Sequence, residues 1–268
     1  MTLIQLLIVA VIQGLTEFLP VSSSGHLILL PGLTGSPDQG LAIDVAVHVG
    51  TLVAVILYFR REVAEAVHGL GRLARGKVDT PGAHTALLLL IATVPVIIVG
   101  FIFKITGFDE HLRSVTVIGW TMLIFGIVLY WADRTGETDR TTNDWHIKHA
   151  VQMGLAQAVA LIPGTSRSGI TISAARRLGY DRTSAATLSM LMSIPTIIAT
   201  GTLLSFEVIG RADWALARDA SVAAVFAFLA ALVALTLMMR LLRSVSFTPY
   251  VIYRVILGAV LIIYAYSV

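Results

Sequence analysis

Arg167 is the residue in this chain that most needs a reason. It lies in Pro-Gly-Thr-Ser-Arg-Ser-Gly-Ile-Thr, residues 163–171, directly after a run of apolar residues and ahead of a longer apolar stretch. An arginine near the centre of a bilayer costs about 2.5–3.5 kcal/mol on insertion scales. Its planar fork suits bidentate capture of a phosphate. Gly164, Thr165, Ser166, Ser168 and Gly169 flank it, and a helix is expected from Ile170 to about Leu178. A Gly/Ser-rich turn running into a helix N-terminus offers backbone N–H groups and a favourable dipole to an anion. The plainer alternative pairs Arg167 with an acid or with backbone carbonyls, but pairing needs none of the flanking hydroxyls. No Gly-Lys-Ser/Thr follows, so the segment is not a nucleotide P-loop.

A second polar set lies near the N-terminus: Gln13, Glu17, Ser22, Ser23, Ser24 and His26. On a helix, Gln13 and Glu17 are one turn apart and share a face. Glu17 is a candidate ligand for a divalent cation or a candidate general base. Mg²⁺ and Ca²⁺ take oxygen ligands, commonly a carboxylate plus substrate phosphates. His26 is placed to pass protons, and one of the serines is a candidate nucleophile activated by it. A lone His or Ser in a membrane helix more often serves a helix–helix hydrogen bond. An intramembrane acid is a functional candidate by default, even where it also balances Arg167. Asp44 and His48, four residues apart on the next apolar stretch, fit either support for this site or a structural pair. Ser193 and Pro195 mark a candidate kink beside it.

The elements that must position these groups follow from composition. Of 268 residues, 56% are hydrophobic and 13% charged, against about 25% charged in soluble domains. This is the composition of an integral membrane protein. Residues 85–103, 114–132, 183–206 and 220–239 are uncharged and long enough for about 30 Å of hydrocarbon. Residues 41–59, with Asp44 and His48, and 249–267, with Arg254, are two further candidate spans. The net charge of +3 comes from basic residues mostly in short loops, which points to topology and away from nucleic-acid binding. The charged loops, including "RRLGYDR" at 176–182, read as solvated faces. The absence of cysteine excludes disulfides and thiolate metal sites. The N-terminal stretch lacks a basic n-region and a small-residue cleavage site, so it reads as part of the mature fold.

Two apolar stretches, 3–15 and 150–162, are too short to span comfortably and read as re-entrant. Each leads into a proline and a Ser-rich turn, and Gln13 precedes Gly25 by the interval at which Gln157 precedes Gly169. Each is followed by one long span and then a hairpin of two. Three spans therefore separate the two turns, which enter from opposite faces and meet near the midplane. Irregular polar backbone at that depth is tolerable only when buried in protein or lining a watery cavity. The expected fold is an all-α polytopic membrane protein of two inverted repeats, each a re-entrant helical hairpin plus three transmembrane helices. The first repeat is 1–132, the cytoplasmic linker 133–148 and the second repeat 149–268. Loops near 60–82, 133–148, 176–182 and 240–249 carry thirteen Lys and Arg, against Lys104, Arg113, Arg211 and Arg218 on the opposite face. The first face is then cytoplasmic, with both termini outside. Arg254, close after Pro249, is expected to snorkel to the cytoplasmic face.

"QGLTEFLPVSSSGHL", from Gln13, and "PGTSRSGIT", from Pro163, resemble the two signature segments of the undecaprenyl-diphosphate phosphatases, the bacitracin-resistance family. "DVAVHVGTL", from Asp44, resembles a third shared stretch, and the span pattern fits from end to end. The phosphatidate-phosphatase type of lipid phosphatase also carries Ser-Gly-His, but its Lys-x6-Arg-Pro signature is absent here. The resemblance implies hydrolysis of undecaprenyl diphosphate to the monophosphate carrier for cell-wall assembly, with a divalent cation, at a site reached from outside the bacterial cytoplasmic membrane. It places the family's acidic pair on Gln13 and Glu17, its Ser and His on Ser23 and His26, and its Ser-Arg on Ser166 and Arg167. Where many members have a first Glu, this chain has Gln13, which removes one carboxylate from the metal site.

The expected chemistry is phosphoryl transfer between the two turns. Arg167 and the 164–169 backbone hold the phosphate of a polyprenyl diphosphate. Glu17 binds the metal or acts as base with Gln13 assisting, Ser23 attacks, and His26 shuttles protons. His26 itself or metal-bound water are the alternative nucleophiles. The rival class is a transporter or flippase of a phosphorylated lipid or other anion, working through the same midplane site. A carrier needs the clamp but not a nucleophile beside Glu17 and His26. A channel fits least, since no ring of repeated charged positions is visible. Oligomeric state stays open, a homodimer included.

Overall fold

A computed structural model describes residues 2–35, 38–208 and 214–267 of the chain; Arg211, counted above among the loop charges, lies outside them. The described residues are helical, without a strand. They form α1 (Leu3–Phe18), α2 (Ser23–Thr34), α3 (Leu41–Tyr58), α4 (Arg60–Leu73), α5 (Pro81–Thr106) and α6 (Phe108–Leu112). The order continues with α7 (Val115–Thr135), α8 (Ile147–Val159), α9 (Arg167–Arg177), α10 (Arg182–Val208), α11 (Trp214–Leu241) and α12 (Thr248–Ser267). Six of these, α3, α5, α7, α10, α11 and α12, are long and apolar enough to cross a membrane. α1 is apolar but shorter.

Local chemistry sets the ends. Thr2 and Gln5 form a capping box at the start of α1. Thr80 caps α5, with Pro81 in its first turn, and Gly107 ends that helix at φ +67°, a left-handed conformation that glycine adopts without a Cβ clash. Large apolar side chains such as Phe101, Ile105, Ile256 and Ile263 point outward. An apolar surface this extensive is a liability in water and a match for lipid.

Packing pairs helices that are distant in sequence. α1 lies on α11 and α8 on α5, while α7 packs on α12 and α3 on both α10 and α11. Small residues allow the closest approaches, as expected where lipid supplies no hydrophobic drive between helices. A Cβ added at Gly14 would sit 2.6 Å from the Ala227 carbonyl on α11, and one at Gly154 would sit 2.5 Å from the Ala92 carbonyl on α5. Pro195 falls inside α10, and Ser193 bonds back to the Met190 carbonyl of its own helix.

One expectation about the loops is corrected here. The 176–182 segment was read as a solvated face, but Arg176 is buried. Its guanidinium donates to Asp133 Oδ1 at 3.2 Å and to the carbonyls of Asp133, Gly136, Glu137 and Tyr180. Arg182 shares Asp133 Oδ1 at 2.7 Å, and the Phe247 N–H bonds Asp133 Oδ2. The physical reason is that α7 and α9 both end here. Their terminal carbonyls have no intrahelical partner, and a guanidinium supplies five donors in one plane. Arg177 does stay exposed, stacked over Trp131 at 4.1 Å. Asp133→Ala leaves Arg176 buried without its partner, so it is expected to destabilise the protein by about 3–5 kcal/mol. Arg177→Ala is expected to stay within about 0.5 kcal/mol. Thermal unfolding in detergent checks both.

Candidate active site

The site is made of two turns built to one plan. In the first, α1 ends at Phe18, the chain runs extended through Leu19, and Ser22 adopts φ 74° before α2 begins at Ser23. In the second, Ser166 adopts φ 70° immediately before α9 begins at Arg167. Each serine caps the helix after it: Ser22 Oγ accepts from the Gly25 N–H at 3.3 Å, and Ser166 Oγ accepts from the Gly169 N–H at 3.1 Å. A second hydroxyl lies beside each cap, Ser24 at 3.4 Å and Ser168 at 3.1 Å. Serine at positive φ is uncommon and is a feature of functional sites.

The turns touch. Ser168 Oγ donates to the Leu19 carbonyl at 3.0 Å, and a Cβ at Gly25 would lie 3.6 Å from Gly164 Cα. Gly164 is at φ +86°, and a Cβ there would fall 2.1 Å from Thr121 Oγ1 on α7. Thr121 in turn donates to the Pro163 carbonyl at 2.6 Å.

Glu17 is the centre of the constellation, and it is buried. Its Oε1 accepts from Arg167 Nη2 at 2.8 Å. Its Oε2 accepts from Ser23 Oγ at 2.7 Å and from Gln13 Nε2 at 2.9 Å. His48 Nε2 stands 3.9 Å from the same oxygen. α1, α2, α9 and α3 thus converge on one carboxylate. Among the described residues, Arg167 Nη1, Thr165 Oγ1 and Gln13 Oε1 are buried without a hydrogen-bond partner. An unmatched buried polar group costs about 1–3 kcal/mol, more when charged. Arg167 therefore has one side committed to Glu17 and donors left over for an anion.

His26 faces another way. Its Nδ1 is 2.7 Å from the Ser22 carbonyl, and Nε2 is 2.6 Å from the Tyr253 hydroxyl on α12, with the rings stacked. A carbonyl only accepts, so Nδ1 carries the hydrogen and the neutral ring accepts from Tyr253 at Nε2. The Ser23 proton points to Glu17, not to His26 as the sequence reading had it. Of the supporting pair, His48 reaches toward Glu17, its Nδ1 bonded to the Asp44 carbonyl at 2.7 Å. The Asp44 carboxylate instead accepts from Gln39 at 2.9 Å.

Arg254 is the second correction. Expected to snorkel to an interface, it is wholly buried. Nε bonds the Met122 carbonyl at 3.2 Å, Nη1 that of Pro20 at 3.3 Å, and Nη2 those of Gly164 and Thr165 at 3.0 and 2.8 Å. Two irregular turns buried in the protein leave carbonyls without helical partners, and this side chain supplies the donors. Arg254 and Tyr253 are the site residues that sequence reasoning missed. The available signal was an arginine inside the apolar stretch 249–267.

The donor set bears on a metal. Among the described residues, no three His, Cys, Asp or Glu cluster closely enough to hold an ion. What is present is one carboxylate, the Ser23 hydroxyl and the unpartnered Gln13 Oε1. Hard oxygen donors of this kind fit a Mg²⁺ or Ca²⁺ ion shared with substrate phosphates, and not an all-protein cage.

The family described as bacitracin resistance protein BacA matches residues 6–260. Proteins named undecaprenyl-diphosphatase from Roseobacter denitrificans and from Dinoroseobacter shibae are each 70% identical over 267 residues, covering 100% of both chains. One named undecaprenyl-diphosphatase 1 from Rhodospirillum rubrum is 45% identical over 274 residues, 99% of this chain and 96% of that one. With six apolar helices and a match along almost its whole length, the chain is a multi-pass membrane protein and belongs to the bacitracin resistance protein BacA family.

Proposed function

We propose that this protein is a membrane phosphatase that hydrolyses undecaprenyl diphosphate to undecaprenyl phosphate and inorganic phosphate, so returning a lipid carrier to cell-wall synthesis and conferring bacitracin resistance. The observation that carries the reading is the line Ser23–Glu17–Arg167: a hydroxyl on a carboxylate, beside a guanidinium with donors to spare. Relatives up to 70% identical over the whole chain bear the name of that enzyme.

In this reading Arg167 Nη1, Thr165 Oγ1 and the first-turn amides of α9 receive the terminal phosphate and stabilise the charge that builds on it. Glu17 takes the proton of Ser23 as its oxygen bonds to phosphorus, and the bond to the bridging oxygen breaks to release undecaprenyl phosphate. Water then attacks the phosphoserine. His26 Nε2 takes the water proton by way of the Tyr253 hydroxyl that donates to it, Glu17 returns its own to Ser23, and phosphate leaves. Mg²⁺ or Ca²⁺, when bound, would be held by Glu17 and Gln13 and would neutralise charge on the phosphate oxygens. An acid-stable phosphoenzyme is the expected intermediate; an acid-labile one would transfer the nucleophile's role to His26.

The architecture we infer is two inverted repeats, 1–132 and 149–268, whose hairpins α1–α2 and α8–α9 are re-entrant. The reading is supported by α1 on α11 matching α8 on α5, and by α7 and α12 packing on each other as counterparts do. The left-handed serines at the two turns match in the same way. The loop charges favour the bacterial cytoplasmic membrane with both termini and the site's mouth on the outer side.

Tyr253→Phe removes only the hydroxyl that bonds His26. One hydrogen bond of about 0.5–1.5 kcal/mol corresponds to a two- to tenfold lower turnover, read from steady-state phosphate release.

The test of the function is phosphate release from undecaprenyl diphosphate by the purified protein in detergent, with and without chelator. One phosphate per lipid is expected, falling in chelator and restored by Mg²⁺ or Ca²⁺. Lipid binding without release under any cation would instead support a carrier, which needs the clamp but has no use for Ser23 on Glu17.

A further inference from the structure

No step above uses Arg254, although it is wholly buried at the depth of the site. Among the described residues its guanidinium bonds are to backbone carbonyls alone. A buried charge answered only by carbonyl dipoles is costly, so the fold must gain something from keeping it. What it touches shows the gain.

Ser22 and Ser166 are held at φ 74° and 70°. Such a conformation costs about 1–3 kcal/mol for a residue with a side chain and persists only where the surroundings over-determine it. Arg254 Nη1 holds the Pro20 carbonyl, two residues before Ser22. Nη2 holds the carbonyls of Gly164 and Thr165, the two residues before Ser166. One rigid fork thus pins the peptide plane that enters Ser166 and the plane one residue upstream of the one that enters Ser22. The peptide unit is planar and trans, so fixing the Thr165 carbonyl toward Arg254 also fixes the Ser166 N–H on the opposite side. The residue after each pinned serine is a reacting group, Ser23 after Ser22 and Arg167 after Ser166. Gly169 accommodates the arrangement: a Cβ there would lie 2.7 Å from Arg254 Nη1.

We infer that Arg254 is a positioning residue that clamps the two turns together and so holds Ser23 and Arg167 in register on Glu17. With Glu17 offsetting one of the two arginines, the clamp also leaves the site one positive charge in excess toward a polyanionic headgroup. The assay for this role rests on the phosphatase reading; the clamp itself does not.

The experiment uses the full chain in detergent as wild type, Arg254→Lys, Arg167→Lys, the double variant, and Gly126→Ala. Lysine keeps the charge but has no planar fork to bridge Pro20 and Thr165. A misplacement of about 1 Å in the reacting groups costs about a hundredfold. That is the fall expected in kcat per folded molecule of Arg254→Lys, with KM for the lipid little changed. Because both arginines act through one geometry, the double variant is expected to lose no more than Arg167→Lys alone. A purely structural role would multiply the two losses and overturn the inference, as would wild-type turnover in Arg254→Lys.

Gly126→Ala keeps the test open if the lysine variant does not fold. Its new Cβ would sit 3.2 Å from Arg254 Cβ without touching Glu17, Ser23 or Arg167. Lower turnover is expected there, and unchanged turnover overturns the clamp. If the wild type releases no phosphate from the lipid, the phosphatase reading fails and inorganic phosphate decides the inference. It is expected to raise the melting temperature of wild type more than that of Arg254→Lys, and equal shifts overturn the proposal.

Discussion

Arg167→Ala lowers phosphate release from undecaprenyl diphosphate by about a thousandfold or more, the range in which a transition-state arginine contributes to phosphoryl transfer. The loss has two sources. Nη1 is a buried donor with no partner among the described residues, and its removal takes away the charge expected to face the phosphate. Nη2 is 2.8 Å from Glu17, and without it the carboxylate keeps only Ser23 and Gln13 as donors. Breaking a buried ion pair also costs stability, about 3–5 kcal/mol, so turnover must be expressed per folded molecule. Arg167→Lys restores the charge as a point and not as a fork. It is expected to recover little of the rate while regaining much of the stability. Near-wild-type turnover in folded Arg167→Ala would remove the phosphate clamp from the mechanism.

Glu17→Gln is expected to divide turnover from binding. The side chain keeps its shape and loses its charge, so Ser23 loses the acceptor for its proton. General-base contributions run about 10²–10⁴-fold, and kcat is expected to fall by that range. Ground-state binding moves the other way. Glu17 is the protein's own anion on Arg167, and it competes with the phosphate for the same guanidinium. Its neutralisation frees Nη2, so inorganic phosphate is expected to bind the variant more tightly and to raise its melting temperature further than that of wild type. A titration by thermal shift measures it. Weaker phosphate binding in Glu17→Gln would mean that the carboxylate reaches the anion through a bound cation and not by competition, and chelator would then abolish the difference.

Much of this was legible in the residues themselves. Length of apolar run against bilayer thickness marks the six helices that, among the described residues, are long and apolar enough to cross, because the period and rise of a helix are fixed by its backbone. The two Ser-rich turns stand out as polar residues between apolar stretches, and Arg167 as a charge among them. The matching intervals from Gln13 to Gly25 and from Gln157 to Gly169 correspond in the structure to two turns that each hold a serine at positive φ.

Partners and directions were not legible. That His26 turns to Tyr253 while Ser23 turns to Glu17 depends on which face of α2 meets α12, 227 residues away in sequence for the His26–Tyr253 bond. Arg176 and Arg254 looked like interface charges because a side chain's flank of loop or apolar helix says nothing of the carbonyls that other segments bring to it. The types of the candidate site residues and the apolar stretches that flank them belong to the sequence, since hydropathy and charge act locally and add along the chain. Which oxygen answers each arginine was decided only by the tertiary structure, because the orphan carbonyls at helix ends and turns are brought to a distant guanidinium only when the helices pack.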